Sequence, residues 1–584
     1  MLGTYASFLL VLGLSTLVGQ AVFAACGRRT WSWLAPAVGL APLIAIAWGT
    51  VRFPGEGLAA LIAIGLLGAV AVVLLRPGVW DLVAELCAGA PVAAVALLAA
   101  SLSFIVEARF GILGTGLNPD MSQHLFAADR LASGGTERLI SDGYPLGPHA
   151  LVVALAELGP STVHVFDGLT LAIAVASCLA PLGLLRELAP WQRVCVAFVV
   201  GLAYLVASYL VQGAFKETMQ ALFVVSFAIG MHELARGTLV PAHTARLRGA
   251  VPLAVIAIGS VYAYSFPGLA WLAGAALTWG VLDLGLEARR TSLADAWNAL
   301  RGTFVTVGVA VGVLAVAIAP EVGRLASFAD FETFNPDGAG LGNLFNRLSP
   351  LEALGIWPSG DFRVEPGDGE VPALIFYLGA ALGLAALGIG LRWSLRRGER
   401  AIPAALAAAA VLWLYSLIGG TPYQEAKALV LMSPLVALIA ARGVVAGGPW
   451  PLAALFLLGA GGSSVLALAN GPVGPSDYSP ALAELRPKLG GAEASTLVLA
   501  QRELLDEEHG RDYLVWELRG NRICVQERGE PRSEWPQRIA TVVKIGDGDA
   551  AEPESIGGND APDPGPGPCP FIPDGARADP AGDD

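Results

Sequence analysis

LCAGAPVAAVALLAASLSFIV, residues 86–106, holds no charged side chain, and EARFGILGTGLNPDMSQHLFAADRLASGGTERLISDGYPLGPH, residues 107–149, follows it directly. The first stretch is long enough to cross a bilayer, which takes about 20 mostly apolar residues for roughly 30 Å of hydrocarbon. The second is the first long polar interruption in the chain. Reading this junction as a membrane helix followed by a surface segment decides the fold class, because the same alternation recurs along the sequence.

Apolar segments fall near 3–25, 31–51, 57–75, 86–106, 163–185, 194–212, 218–235, 249–265, 267–285, 303–320, 371–391, 402–419, 426–441 and 451–469, about fourteen in all. The composition agrees: 55% of residues are hydrophobic and 15% charged, against about 25% charged in a soluble domain, and mean hydropathy is +0.61. The expected fold is an all-α polytopic membrane protein of about 13–14 transmembrane helices. The first segment has no basic residue ahead of it and Arg28 and Arg29 behind it. That is the wrong order for a cleaved signal peptide, so it reads as a retained helix.

Basic residues orient the chain. With the N-terminus outside, seven short cytoplasmic links hold Arg28/Arg29, Arg76, Arg186/Arg193, Arg236/Arg246/Arg248, Arg289/Arg290/Arg301, Arg392/Arg396/Arg397/Arg400 and Arg442, 16 basic residues in total. Nine others are spread over much longer segments on the opposite side. On this reading the 107–162 segment, the 321–370 loop and the C-terminal tail are extracytoplasmic.

Within the opening stretch, Asn118-Pro119-Asp120 reads as a helix start, since Pro suits a first turn and Asp an N-terminal position. The helix is expected to run to about Ser133 and stop at Gly134-Gly135. Met121, Leu125, Ala128 and Leu131 fall on one face, the pattern of a short amphipathic helix in the membrane interface. Asp120 and His124, four residues apart, share a face. A second short helix, about Pro148–Leu158, follows the Tyr144–His149 turn. Lys216 and Glu217 sit at one helix end, and Tyr423, Glu425 and Lys427 at a later one. The 321–370 loop is longer than an ordinary connector, and such loops are usually functional or disordered. Phe328, Phe331, Phe334, Phe345 and Trp357 give it apolar anchors.

After Asn470 the composition changes. The tail holds 11 of the 36 basic residues and 22 of the 49 acidic ones, which argues against nucleic acid as a partner. PSDYSPALAELRPKL reads as a short helix, STLVLA (495–500) and NRICVQE (521–527) as strands, and RDYLVWELR (511–519) as a further candidate strand. The expected organisation is N-terminal helices over 1–85, a membrane core over 86–470, a small extracytoplasmic α/β appendage over 471–545, and a disordered acidic Pro/Gly-rich tail over 546–584. The six cysteines form no CxxC or metal-ligand spacing. A disulfide between Cys524 and Cys569 is the less favoured reading, because Cys569 lies in a Pro/Gly-rich stretch.

The chain contains no Walker loop, no HExxH and no GxSxG. What remains is a ring of polar residues on one side of the membrane: Asp120, Asp142, His124, His149, Lys216, Glu217, Tyr423, Glu425 and Lys427. A carboxylate there suits a general base for a hydroxyl, and lysines near helix ends suit a phosphate. The commonplace alternative is that outer loops of any membrane protein carry solvated charge. Lys216 and Lys427 stand against it as the only lysines before the tail, both abutting membrane helices.

The pattern resembles the GT-C superfamily of polyprenyl-phosphate-sugar-dependent integral-membrane glycosyltransferases. The segments that carry the resemblance are Asn118-Pro-Asp-Met-Ser-Gln-His124 in the first large outer loop, Tyr144-Pro-Leu-Gly-Pro-His149, Gly213-Ala-Phe-Lys-Glu217, and the Tyr423–Lys427 spacing, within roughly 86–470. The acidic loop follows about the fourth helix, where simpler members have it after the first, so three helices are added ahead of it. The resemblance implies an inverting sugar transfer at the bacterial plasma membrane, from a polyprenyl-phosphate-linked donor to an extracytoplasmic glycan, lipid or protein acceptor. Asp120 is then the base, with Asp142 as second candidate. His124, Tyr144, His149, Lys216, Glu217, Tyr423 and Lys427 are the substrate-binding candidates. No Asp-x-Asp is present in the loop, and no cofactor is assigned beyond a candidate divalent cation at Asp120, His124, Asp142 and His149. The competing expectation is a transporter or flippase for a lipid or polysaccharide, which calls for ionisable residues near helix centres and paired broken helices. A third is a scaffold whose tail recruits a partner.

Overall fold

The computed structural model describes residues 1–75, 82–331 and 340–474, with breaks at 116, 119, 136–137 and over most of 291–303; beyond 474 it describes 485–489, 495–500, 516–519, 521–527, 541–545 and 553–556. The helices run α1 (Leu2–Ala25), α2 (Ala35–Val51), α3 (Glu56–Leu75), α4 (Leu82–Ala100), α5 (Leu102–Val106), α6 (Asp120–Ala132), α7 (Arg138–Ser141), α8 (Gly147–Ala156), α9 (Thr162–Leu179) and α10 (Pro190–Gly201). They continue as α11 (Tyr204–Leu210), α12 (Phe215–Ala235), α13 (Ala242–Arg248), α14 (Val251–Arg290), α15 (Phe304–Ile318), α16 (Val322–Phe328), α17 (Ala373–Arg396), α18 (Ala401–Gly419), α19 (Pro422–Gly447) and α20 (Trp450–Ala469).

Ten of these are long and apolar enough to cross a membrane, and α10 with α11 forms an eleventh candidate as a pair bent by 61°. The chain is a multi-pass helical membrane protein. The fourteen apolar segments of the sequence do not all stand as separate spans. α2 and the Cys87–Ala100 part of α4 are shorter apolar helices, and α14 takes in two of the segments. As one straight rod of 40 residues, α14 would run about 60 Å at 1.5 Å per residue, twice the hydrocarbon thickness.

The chain reverses inside α14 instead. Ser265 has φ 63° and ψ −158°, and Pro267 follows. The Ser260 hydroxyl donates to the Gln220 side chain at 2.8 Å, and the same Gln220 amide donates to the Gly268 carbonyl at 3.2 Å. Residues eight apart on a straight helix are about 12 Å distant, so one glutamine reaches both only because the chain doubles back. The separate segments 249–265 and 267–285 fit this reversal.

The centre of the bundle is α9, α12 and α19, nearly all of whose span residues are buried, while α3 and α15 lie at the rim. Helices cross where small residues let backbones touch. The Ala35 carbonyl stands where Gly19 would carry a Cβ, and the Ser15 carbonyl does the same at Gly39, which joins α1 to α2. Gly390 and Gly443 do this for α17 and α19.

The tail begins pinned to the opening stretch. Gly114 N–H donates to the Pro472 carbonyl and Gly474 N–H to that of Ile112. Four strands follow, β1 (Ser495–Ala500), β2 (Arg522–Glu527), β3 (Thr541–Ile545) and β4 (Pro553–Ile556), in the order β2-β1-β3-β4. β1 runs parallel to β2 and β3, and β3 antiparallel to β4. Three expectations change here. Trp516–Arg519 are a helical turn and not strand, and β4 falls inside the stretch expected to be disordered. Cys524 is disulfide-bonded; Cys569 lies outside the described residues, as do 475–484 of the expected tail helix and the rest of 546–584.

Candidate functional site

At the end of the bundle where α6, α12 and α19 begin, their first turns converge. Asp120 opens α6. The Asn118 side chain fixes that start, accepting from the Asp120 N–H at 3.0 Å and donating to Asp120 Oδ2 at 3.3 Å. α19 starts on a capping box, a reciprocal pair that satisfies two orphan backbone donors. Thr421 Oγ1 accepts from Gln424 N–H at 3.3 Å, and Gln424 Oε1 from Thr421 N–H at 3.2 Å. The cap aims Tyr423 at α6, where its hydroxyl donates to Asp120 Oδ2 at 3.5 Å.

Lys427 is one turn further along the same face, with Nζ 4.1 Å from the Tyr423 ring centroid and 3.0 Å from Glu217 Oε1. Glu217 and Lys216 both sit in the first turn of α12. As neighbours they point in different directions. Glu217 meets Lys427, whereas Lys216 places Nζ 3.8 Å from the Tyr144 ring centroid. Lys216 is 7% exposed, and among the described residues its ammonium has no hydrogen bond or ion pair. A buried charge is ordinarily paired, so this one is the exception in the cluster.

The imidazoles form the inner wall. His149 Nε2 lies 3.1 Å from His124 Nδ1. Phe215 packs edge-on to both rings, and Phe166 closes on His149. Burial, then the Lys216 ammonium, hold the His124 imidazole well below its usual range, so His124 is neutral. Its hydrogen bond to His149 occupies one ring nitrogen of each imidazole. Among the described residues no three His, Cys, Asp or Glu side chains gather as metal ligands, so the donor set does not fit a divalent ion. Asp142 is half-buried in the turn before Tyr144; the contacts that define the cluster run through Asp120.

Two parts of the 321–370 loop enclose the cluster, and apart from Phe328 and Phe331 their contributing residues carried no sequence signal. On one side Gly342 lies flat on the Tyr423 ring with φ 59°, where a Cβ would come within 2.6 Å of a ring carbon. Asn343 donates to Gln212 Oε1 and to the Leu117 carbonyl, next to Asn118. Arg347 pairs with buried Glu425 at 3.2 Å. On the other side Glu321 accepts from Trp48, Arg52 and Arg324. Phe328 and Phe331 pack against Tyr144. Apart from Glu321–Arg324, these partners lie from 78 to 273 residues apart, and only the phenylalanines carried a sequence signal.

The arrangement offers one carboxylate held by two donors, one lysine–glutamate pair that cancels, and one cation left over. The chain matches no protein-family model, and no curated protein matches it.

Proposed function

We propose that the chain is an inverting membrane glycosyltransferase of GT-C-like architecture, using a polyprenyl-phosphate-linked sugar. The observation that carries this reading is the Lys216 ammonium near Asp120 at one end of the bundle, which has no hydrogen-bond or ion-pair partner among the described residues. A lipid phosphate is a membrane-resident anion for such a cation. In the proposed step Asp120 accepts the proton of an acceptor hydroxyl, and that oxygen bonds to the anomeric carbon. The bond from that carbon to the phosphate oxygen breaks, and polyprenyl phosphate leaves with its electron pair, its charge held by Lys216 with Lys427 beside it. Glu217 keeps Lys427 in place, while the Tyr423 hydroxyl and Asn118 aim the Asp120 carboxylate. The neutral histidine pair and Tyr144 shape an apolar wall for the sugar.

The distribution of basic residues supports an extracytoplasmic site in a bacterial plasma membrane. The bonded Cys524 agrees, since disulfides persist in oxidising compartments, and the strands support a small α/β appendage there. The acceptor is a glycan, lipid or protein.

The transporter reading has specific support in the bent α10–α11 pair and the break at Ser265. Against it, Lys216, Glu217 and Lys427 lie in the first two turns of their helices and not at the centres. The deciding experiment places the purified protein in vesicles with a polyprenyl-phosphate sugar and a mixed acceptor extract. Sugar transfer that is lost in Asp120→Asn supports the enzyme. Movement of the lipid across the bilayer without transfer, unchanged in Asp120→Asn, overturns it.

A further inference from the structure

Arg324 is 9% exposed and reaches three separate elements with one guanidinium. Nε donates to Glu321 Oε2 at 2.6 Å, Nη1 to the Gly143 carbonyl at 3.2 Å, and Nη2 to the Val261 carbonyl, one turn before the reversal at Ser265, at 3.3 Å. Glu321 is itself held from α2, by Trp48 Nε1 at 2.8 Å and Arg52 Nη2 at 2.9 Å. The planar five-donor fork of arginine is suited to such a junction, and a lysine is not.

The junction bears on the site through Gly143. That residue has φ 72°, and the Arg324 carbonyl stands where its Cβ would be. The next residue is Tyr144. Its ring meets Phe328 and Phe331, which follow Arg324 on the same segment, at 5.9 and 5.3 Å. Its face carries the Lys216 ammonium at 3.8 Å. Among the described residues Lys216 has no hydrogen bond to fix it, so its position depends on the ring beneath it.

We infer that Arg324 is a positioning residue for the Lys216 cation, acting through the Gly143 carbonyl and the Tyr144 ring. This rests on the reading that Lys216 holds the anion, but its test needs no donor. The chain has four lysines, Lys216, Lys427, Lys488 and Lys544, so protein labelled with 13C-lysine in lipid nanodiscs gives four side-chain methylene signals next to nitrogen. Loss in Lys216→Arg identifies the Lys216 signal. Stacking on the Tyr144 ring displaces it upfield, and Tyr144→Leu gives its position without the ring. Arg324→Gln is expected to move the Lys216 signal to that ring-free position and leave the Lys427 signal in place. Arg324→Lys, which keeps the charge but not the fork, recovers only part of the displacement. A Lys216 signal unchanged in Arg324→Gln overturns the inference. If Arg324→Gln does not fold, Arg324→Lys decides, because it keeps the buried charge and removes the fork that reaches the Gly143 carbonyl. Displacement of the Lys216 signal supports the inference, and an unmoved signal refutes it. No sugar transfer by the wild-type protein, with the Lys216 signal still moved in Arg324→Gln, would instead count against the function and not against the positioning.

Discussion

The two ends of α12 and α19 carry very different charge clusters about 30 Å apart along α12. At the far end Arg442 pairs with Glu399 at 2.6 Å and Glu187 at 3.1 Å. Arg397 reaches the same two carboxylates at 3.5 and 3.0 Å, and Arg236 reaches Glu399 at 3.6 Å. Trp393 lies between Arg397 and Arg442, 4.7 Å from each. Every charge there has an opposite charge in range, and every cation is an arginine. At the Asp120 end the innermost cations are lysines, with Arg347 and its partner Glu425 at the edge, and among the described residues Lys216 has no carboxylate partner. Arginine forks tie several carboxylates at fixed geometry; a lysine is a mobile point charge. The far cluster has the chemistry of a staple; the near one, under the proposed function, is where an anion binds.

The largest expected effects separate these roles. Under the proposed function, Asp120→Asn lowers sugar transfer about a hundred- to ten-thousand-fold, the range for loss of a positioned general base. Asp120 is half-buried with two neutral donors that an amide can still meet, so the thermal midpoint in detergent stays near wild type. Glu399→Ala does the reverse. It strips Arg442, itself 7% exposed, of its shortest partner, and breaking a buried pair costs about 3 kcal/mol or more. Its midpoint falls, while transfer per folded molecule is kept. Equal stability losses in both variants would erase the distinction between the ends.

The smaller effect at Lys216 is sharper in sign. Lys216→Met removes a largely buried cation that has no hydrogen-bond or ion-pair partner among the described residues, so stability is expected to hold or rise. Function and stability commonly conflict at such sites. Donor binding weakens by about tenfold or more, the loss of a hydrogen bond to a charged group at roughly 1.5 kcal/mol. A drop in the thermal midpoint with unchanged donor affinity would make Lys216 structural.

How much of this was legible in the sequence depends on the range of each interaction. Asp120, Tyr423, Lys216 and Lys427 were visible because their signals are local: a helix start after Asn118-Pro119, and lysines otherwise missing from 470 residues. The spans were visible because apolar length is a local property as well. The Glu321–Arg324 junction was not, because Arg52, Gly143, Val261 and Glu321 meet only after the bundle has packed. Gly342 gave no cue either, since the Tyr423 ring it lies on is 81 residues later. β3 and β4 are five and four residues long, too short for a period-2 pattern to stand out in an acidic tail.

The smallest effect tests whether the far end is a staple because of its charges or because of their burial. Arg186 and Glu85 pair at 2.9 Å with Arg186 58% exposed and Glu85 26% exposed. The distance resembles those in the Arg442 cluster, but solvent reaches both partners, and exposed pairs contribute about 0–1 kcal/mol. Arg186→Gln is therefore expected to shift the thermal midpoint by little, and less still as salt is raised, since screening already weakens an exposed pair. A shift as large as that of Glu399→Ala would mean that ion pairing itself, and not the desolvation of Glu399 and Arg442, holds that end together. The contrast with Lys216 would then lose its physical basis.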